Sequence, residues 1–136
     1  MKLDEELLNY QKKMNLEGGS TALCALIKEN ELFVINIGDS IAALITDGKI
    51  QKINEEHNTN NEKEKILMEK KGALIVKIKN AFRIMGEISV TRSFGDRTYK
   101  EYLTCDADVY KYDLRDFEKD GLLFLGSDGF WNVKFF

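Results

Sequence analysis

Leu32 to Ile37 reads LFVINI, and its apolar residues fall on both faces of any extended strand. Such a segment needs cover on both sides, so it predicts a central strand. The chain supplies neighbours for it: STALCALI before, IAALIT and KIQKI after, then ALIVKI, VYKYDL and LLFLG. Apolar runs this short are strand-length rather than helix-length. Asp47-Gly48 lies between two of them and is a hairpin signal. In VYKYDL, Tyr110, Tyr112 and Leu114 share one face, which predicts a half-buried strand. Two segments have helical spacing. Leu3, Leu7, Tyr10 and Met14 predict an amphipathic helix over 3–15, ended by the glycines of EGGS. Thr59 and Glu62 have capping-box spacing and predict a helix over 60–71, with Gly72 at its C′ position. Helix, strands, helix, strands is an α+β order with antiparallel sheets, not an alternating parallel one.

Several function classes drop out early. The 136 residues are a one-domain length, and 43% of them are hydrophobic, enough for a core. The 20 basic and 23 acidic residues are mixed along the chain without a basic stripe, which argues against nucleic acid as a partner. Runs such as TALCALI are too short to cross a bilayer, so no membrane partner is expected. The N-terminal stretch is acidic and periodic, unlike a signal peptide. Cys24 and Cys105 form no CxxC pair. Reduced thiols and a cytoplasmic or nuclear location are the expectation.

Asp39, Asp96 and Asp128 each adjoin a glycine, in IGDS, FGDR and SDGF. Aspartate and glycine together commonly make turns, and Asp47-Gly48 and Asp120-Gly121 are such turns between strand patterns. Asp39 and Asp128 differ, because each directly follows a strongly apolar strand. A buried carboxylate costs several kcal/mol unless a cation or hydrogen bonds compensate it. Carboxylates delivered from two strand ends suit a hard cation that takes oxygen ligands, with a turn or cap as the alternative. His57 is the only histidine, in a polar stretch without metal-spaced partners, and reads as a structural loop residue.

GGSTALCALI, LFVINIGDS, EEH, EKEKILMEKKGALI, RIMGEISVTRSFGD and LLFLGSDGFWNV occur in one succession. That succession resembles the PP2C-type (PPM) metal-dependent Ser/Thr protein phosphatases, over nearly all of Gly18 to Val133. The resemblance implies an αββα sandwich of antiparallel sheets flanked by helices, represented by residues 1–136 from the helix before GSTA through SDGFWN and incomplete at both ends. It implies hydrolysis of phosphoserine and phosphothreonine in a phosphoprotein substrate, by water activated between two or more Mg2+ or Mn2+ ions. Asp128 matches a direct ligand of the metal pair. Asp39 matches an aspartate associated with an additional metal. Asp96 is expected to be structural, holding Arg92 or a backbone amide. Trp131 is expected to close the core behind the metal-bearing strand, with Asn132 beside the metals.

The same resemblance places the substrate-phosphate arginine, the DGHGG motif and a later Asp-Asn ligand outside residues 1–136, so no catalytic residue is assigned within the chain. Ile41 stands where an arginine is common, and Asn132 where a carboxylate is. These departures leave a second class open: a catalytically inactive, pseudophosphatase-like interaction module. Phosphoprotein identity and oligomeric state are not read from the sequence.

Overall fold

The computed structural model describes residues 2–46, 48–117 and 121–131. Asp47 and Asp120 of the two expected turns, and Asn132, lie outside the described residues. The order is α1 (Lys2–Met14), β1 (Gly19–Ser20), β2 (Ala22–Lys28), β3 (Glu31–Ile37), β4 (Ile41–Thr46), β5 (Lys49–Lys52), α2 (Glu62–Lys70), β6 (Ile75–Ile78), β7 (Ala81–Ile84), β8 (Phe94–Gly95), β9 (Asp108–Asp113), β10 (Gly121–Gly126) and α3 (Asp128–Trp131).

LFVINI is the central strand that its two apolar faces require. β3 lies between β2 and β9, antiparallel to both. A second three-stranded sheet runs β10-β4-β5, also antiparallel. The two sheets meet through alternate residues of their strands. Leu32 and Val34 of β3 cluster with Ala42 and Leu44 of β4 and with Ile53, and all five are buried. Tyr110, Tyr112 and Leu114, the face expected of VYKYDL, pack against that cluster with Leu23 and Leu123. The result is an α+β sandwich of antiparallel sheets, as the strand pattern predicts.

A second core forms under α2. Met68 packs with Ala73, Ile84 and Leu103, next to the β6-β7 hairpin. The helix starts later than its capping-box spacing suggests. Asn61, not Thr59, is the N-cap, and its side chain accepts the Lys63 N–H. Thr59 is buried, and its hydroxyl donates to the Phe82 carbonyl of β7 at 2.6 Å. A tertiary acceptor therefore outcompetes the local cap for that hydroxyl. Gly72 takes the left-handed conformation expected of it (φ +86°), and its N–H reaches the Glu69 carbonyl.

α1 is held at its polar face. Asp4 is buried, accepts the Gly95 N–H at 2.8 Å and pairs with Lys100 Nζ at 2.8 Å. Lys100 also donates to the Ser93 carbonyl, and Gln11 donates to the Gly18 carbonyl. The helix thus fixes the Ser93–Asp96 segment, which contains β8, from outside.

Candidate metal centre

Strand pairing brings the two strand-end aspartates together. β10 pairs with β4 so that Gly126 faces Ile41. Asp39 lies two residues before β4 and Asp128 two residues after β10, as the first residue of α3, so the pairing brings both to the same end of the sheet although 89 positions separate them in sequence. Both line one cavity of about 280 Å³, together with Ile41, Glu56, Arg83 and Trp131.

Asp39 sits in the β3–β4 loop, and both flanking residues are clamped. Gly38 has φ +106°, and a Cβ there would fall 2.2 Å from Thr21 Cγ2, so only glycine fits. The Gly38 carbonyl accepts from Asn36 Nδ2 at 2.9 Å and from the His57 N–H at 3.0 Å. The Ser40 carbonyl accepts from Asn54 Nδ2, and its hydroxyl meets Thr21 Oγ1. Asp128 is more exposed, and its Oδ1 accepts the Gly129 N–H at 2.8 Å.

The pocket carries unbalanced negative charge. Burial pushes the Asp39 carboxyl above the usual carboxylate range, and the nearby Asp128 and Glu56 raise it further, against a lowering backbone hydrogen bond. A divalent cation would relieve that repulsion, and carboxylate oxygens are the donors that Mg2+ and Mn2+ prefer. Among the described residues, no group of three or more His, Cys, Asp or Glu converges to hold a metal ion. The residues thus fit a hard cation as a two-carboxylate share of its ligands, with water the natural completion of the shell.

Trp131 is not simply packed behind the strand. Its indole N–H donates to the carbonyls of Gly126 at 2.9 Å and Ile41 at 3.3 Å, joining the end of β10 to the start of β4. Its ring meets Phe130 edge-on at 4.9 Å and forms part of the cavity wall. These bonds tie together the strand ends next to which Asp39 and Asp128 lie.

Arg92 and Asp96 do not pair. Asp96 has a left-handed backbone (φ +51°) and accepts from the Ser93 hydroxyl at 2.5 Å. Arg92 instead meets Glu64 at 2.6 and 3.1 Å and Asp108 at 2.9 Å. The Thr91 hydroxyl adds a bond to Glu64 at 2.8 Å. Burial opposes charge on all three groups. The mutual pairing outweighs it, holding Glu64 and Asp108 below their ordinary range and Arg92 above its own. His57 extends the network, as its Nε2 lies 3.0 Å from Asp108 Oδ2. The sequence reading missed Glu64, Asp108, Glu56 and Arg83. Only the packing of α2, β7 and β9 brings them near this region, and no local spacing signals it.

Comparison with known proteins agrees with this architecture. The family profile "Protein phosphatase 2C" matches residues 1–134. The chain is 32% identical over 132 residues to the probable protein phosphatase 2C 52 of Oryza sativa subsp. japonica, covering 97% of this chain and 26% of that protein. It is 34% identical over 130 residues to protein phosphatase 1F of Mus musculus, covering 96% of this chain and 28% of that one. Among solved structures, a C. elegans sex-determining protein superposes with a TM-score of 0.85 at 23% identity, over 96% of this chain and 32% of that one. A serine-threonine phosphatase 2C from Toxoplasma gondii superposes with a TM-score of 0.79 at 22% identity, over 96% of this chain and 48% of its own. The chain spans less than half the length of each of these relatives.

Proposed function

Because the chain belongs to the protein phosphatase 2C family, we propose that the protein is a metal-dependent phosphatase for phosphoserine and phosphothreonine in protein substrates, with Asp39 and Asp128 holding a divalent cation, Mg2+ or Mn2+. The observation that carries this reading is that Asp39 and Asp128, beside the paired ends of β4 and β10, line one pocket. The raised Asp39 carboxyl supports it: burial disfavours its charge, Asp128 and Glu56 add to that, and a bound cation would offset both. A bound divalent cation supplies Lewis-acid polarisation of a phosphoryl oxygen and lowers the pKa of water.

The chain's own residues do the positioning. Asp39 is fixed through its clamped neighbours, Gly38 and Ser40. Asp128 follows the end of β10, which the Trp131 indole ties to the start of β4. Arg83, from β7, adds a guanidinium to the cavity lining and is suited to pairing with a phosphate oxygen; its Nη1 donates to the Glu87 carbonyl at 2.5 Å. Ile41 and Trp131 add apolar surface to a lining that is otherwise mostly polar. No helix among the described residues is long and apolar enough to cross a membrane.

The test is phosphate release from a phosphothreonine peptide by the full-length protein, with Mn2+ or Mg2+ and with a chelator. Turnover should depend on the added cation and stop on chelation. The ion that restores it better identifies the cofactor. A folded protein that stays silent with both ions would contradict the reading and favour an inactive interaction module.

A further inference from the structure

The histidine read as a structural loop residue is connected to the Asp39 loop. His57 is buried, at 1% exposure, and its Nδ1 accepts the Gly38 N–H at 3.1 Å. That bond assigns the proton to Nε2, which donates to Asp108 Oδ2 at 3.0 Å. Asp108 is held by Arg92, and Arg92 by Glu64 on α2. The His57 backbone takes part as well: its N–H donates to the Gly38 carbonyl at 3.0 Å, and its carbonyl accepts the Thr91 N–H at 2.9 Å. A continuous path therefore runs from Glu64 through Arg92, Asp108 and His57 to Gly38, the residue before Asp39. A charged network alone would need no contact between His57 and Gly38. An isolated loop clamp would need no ion pairs behind the histidine.

We propose that His57 is a positioning residue for the cation held by Asp39. Its ring fixes the Gly38 amide, and the Asp108–Arg92–Glu64 chain fixes the tautomer that leaves Nδ1 able to accept. His57 does not touch the cation. Its ring holds the Ile37-Gly38 peptide through the Gly38 N–H while its backbone N–H holds the Gly38 carbonyl, so the residue leading into Asp39 is fixed on both sides, much as outer partners orient metal ligands elsewhere. The proposal rests on the reading of Asp39 as a ligand.

Two substitutions separate this role from a structural one. Asn at position 57 can keep an acceptor where Nδ1 stands but loses the bond to Asp108. Gln can reach Asp108 but offers Gly38 no acceptor at the Nδ1 position. The experiment is Mn2+ binding by the full-length protein, followed through the spin-resonance signal of free Mn2+, with thermal melting recorded for each variant. Asp39→Asn first identifies the binding phase that depends on Asp39. His57→Gln should weaken that phase at least fivefold, and His57→Asn less than twofold, whatever the order of their melting temperatures. Equal losses, no loss in either, or the reverse order would overturn the proposal. If Asp39→Asn changes no phase of Mn2+ binding, the ligand reading itself fails, which is a separate result. If His57→Gln does not fold, nitrogen NMR of the unaltered protein decides. Mg2+ should shift the His57 Nδ1 and Gly38 amide resonances together, and no shift in either would overturn the proposal.

Discussion

Asp128→Ala should lower kcat/KM for a phosphothreonine peptide by about a thousandfold while leaving the fold as stable as before. The side chain is exposed and accepts the adjacent Gly129 N–H, so little folding energy is at stake. Its charge lies beside Asp39, whose carboxyl it pushes upward. Removing it relieves a repulsion in the metal-free protein. The functional loss is of another order. On the proposed reading, half of the chain's carboxylate share for the cation would disappear. A loss of about 4 kcal/mol of transition-state stabilisation corresponds to about a thousandfold in rate. Steady-state kinetics and a urea melt on the same preparation check both halves. A tenfold loss or less, or a parallel fall in stability, would count against Asp128 as a ligand.

Arg92→Ala should do the opposite and act mainly on stability. The Arg92 side chain is 13% exposed and that of Glu64 only 5%. Truncation leaves Glu64 buried with the Thr91 hydroxyl as its remaining side-chain donor, and Asp108 with His57 and a long contact to Tyr110. Breaking a buried pair from one side costs about 3–5 kcal/mol, because the other charge stays behind. Adding Glu64→Gln should recover part of that loss, since the stranded charge is removed with it. Chemical denaturation of the single and double variants measures both numbers. If Arg92→Ala costs under about 1 kcal/mol, water reaches the network and the ion pairs are weak.

These expectations rest on a fold that was largely legible. LFVINI had to be central because both its faces are apolar, and the alternation of Tyr110, Tyr112 and Leu114 marked the face that packs on the core. Gly72 had one natural role after a helical segment. The start of α2 was misread at Thr59 because a local cap and a distant carbonyl compete for one hydroxyl, and only the tertiary structure shows Phe82 nearby. At the candidate site, Asp39 and Asp128 stood out because apolar strands lead into each. Their juxtaposition comes from the pairing of strands some eighty residues apart, which no local pattern encodes. The Glu64–Arg92–Asp108–His57 network was invisible for the same reason. Its members come from a helix and three loop or strand segments, and nothing in their spacing links them.

The central claim is that Asp39 and Asp128 share one hard cation, and anomalous scattering from a crystal of the full-length protein grown with Mn2+ tests it most directly. The account predicts a manganese peak with carboxylate oxygens of both residues within about 2.5 Å of it. Manganese ordered elsewhere, with both carboxylates beyond reach of any ion, would contradict it.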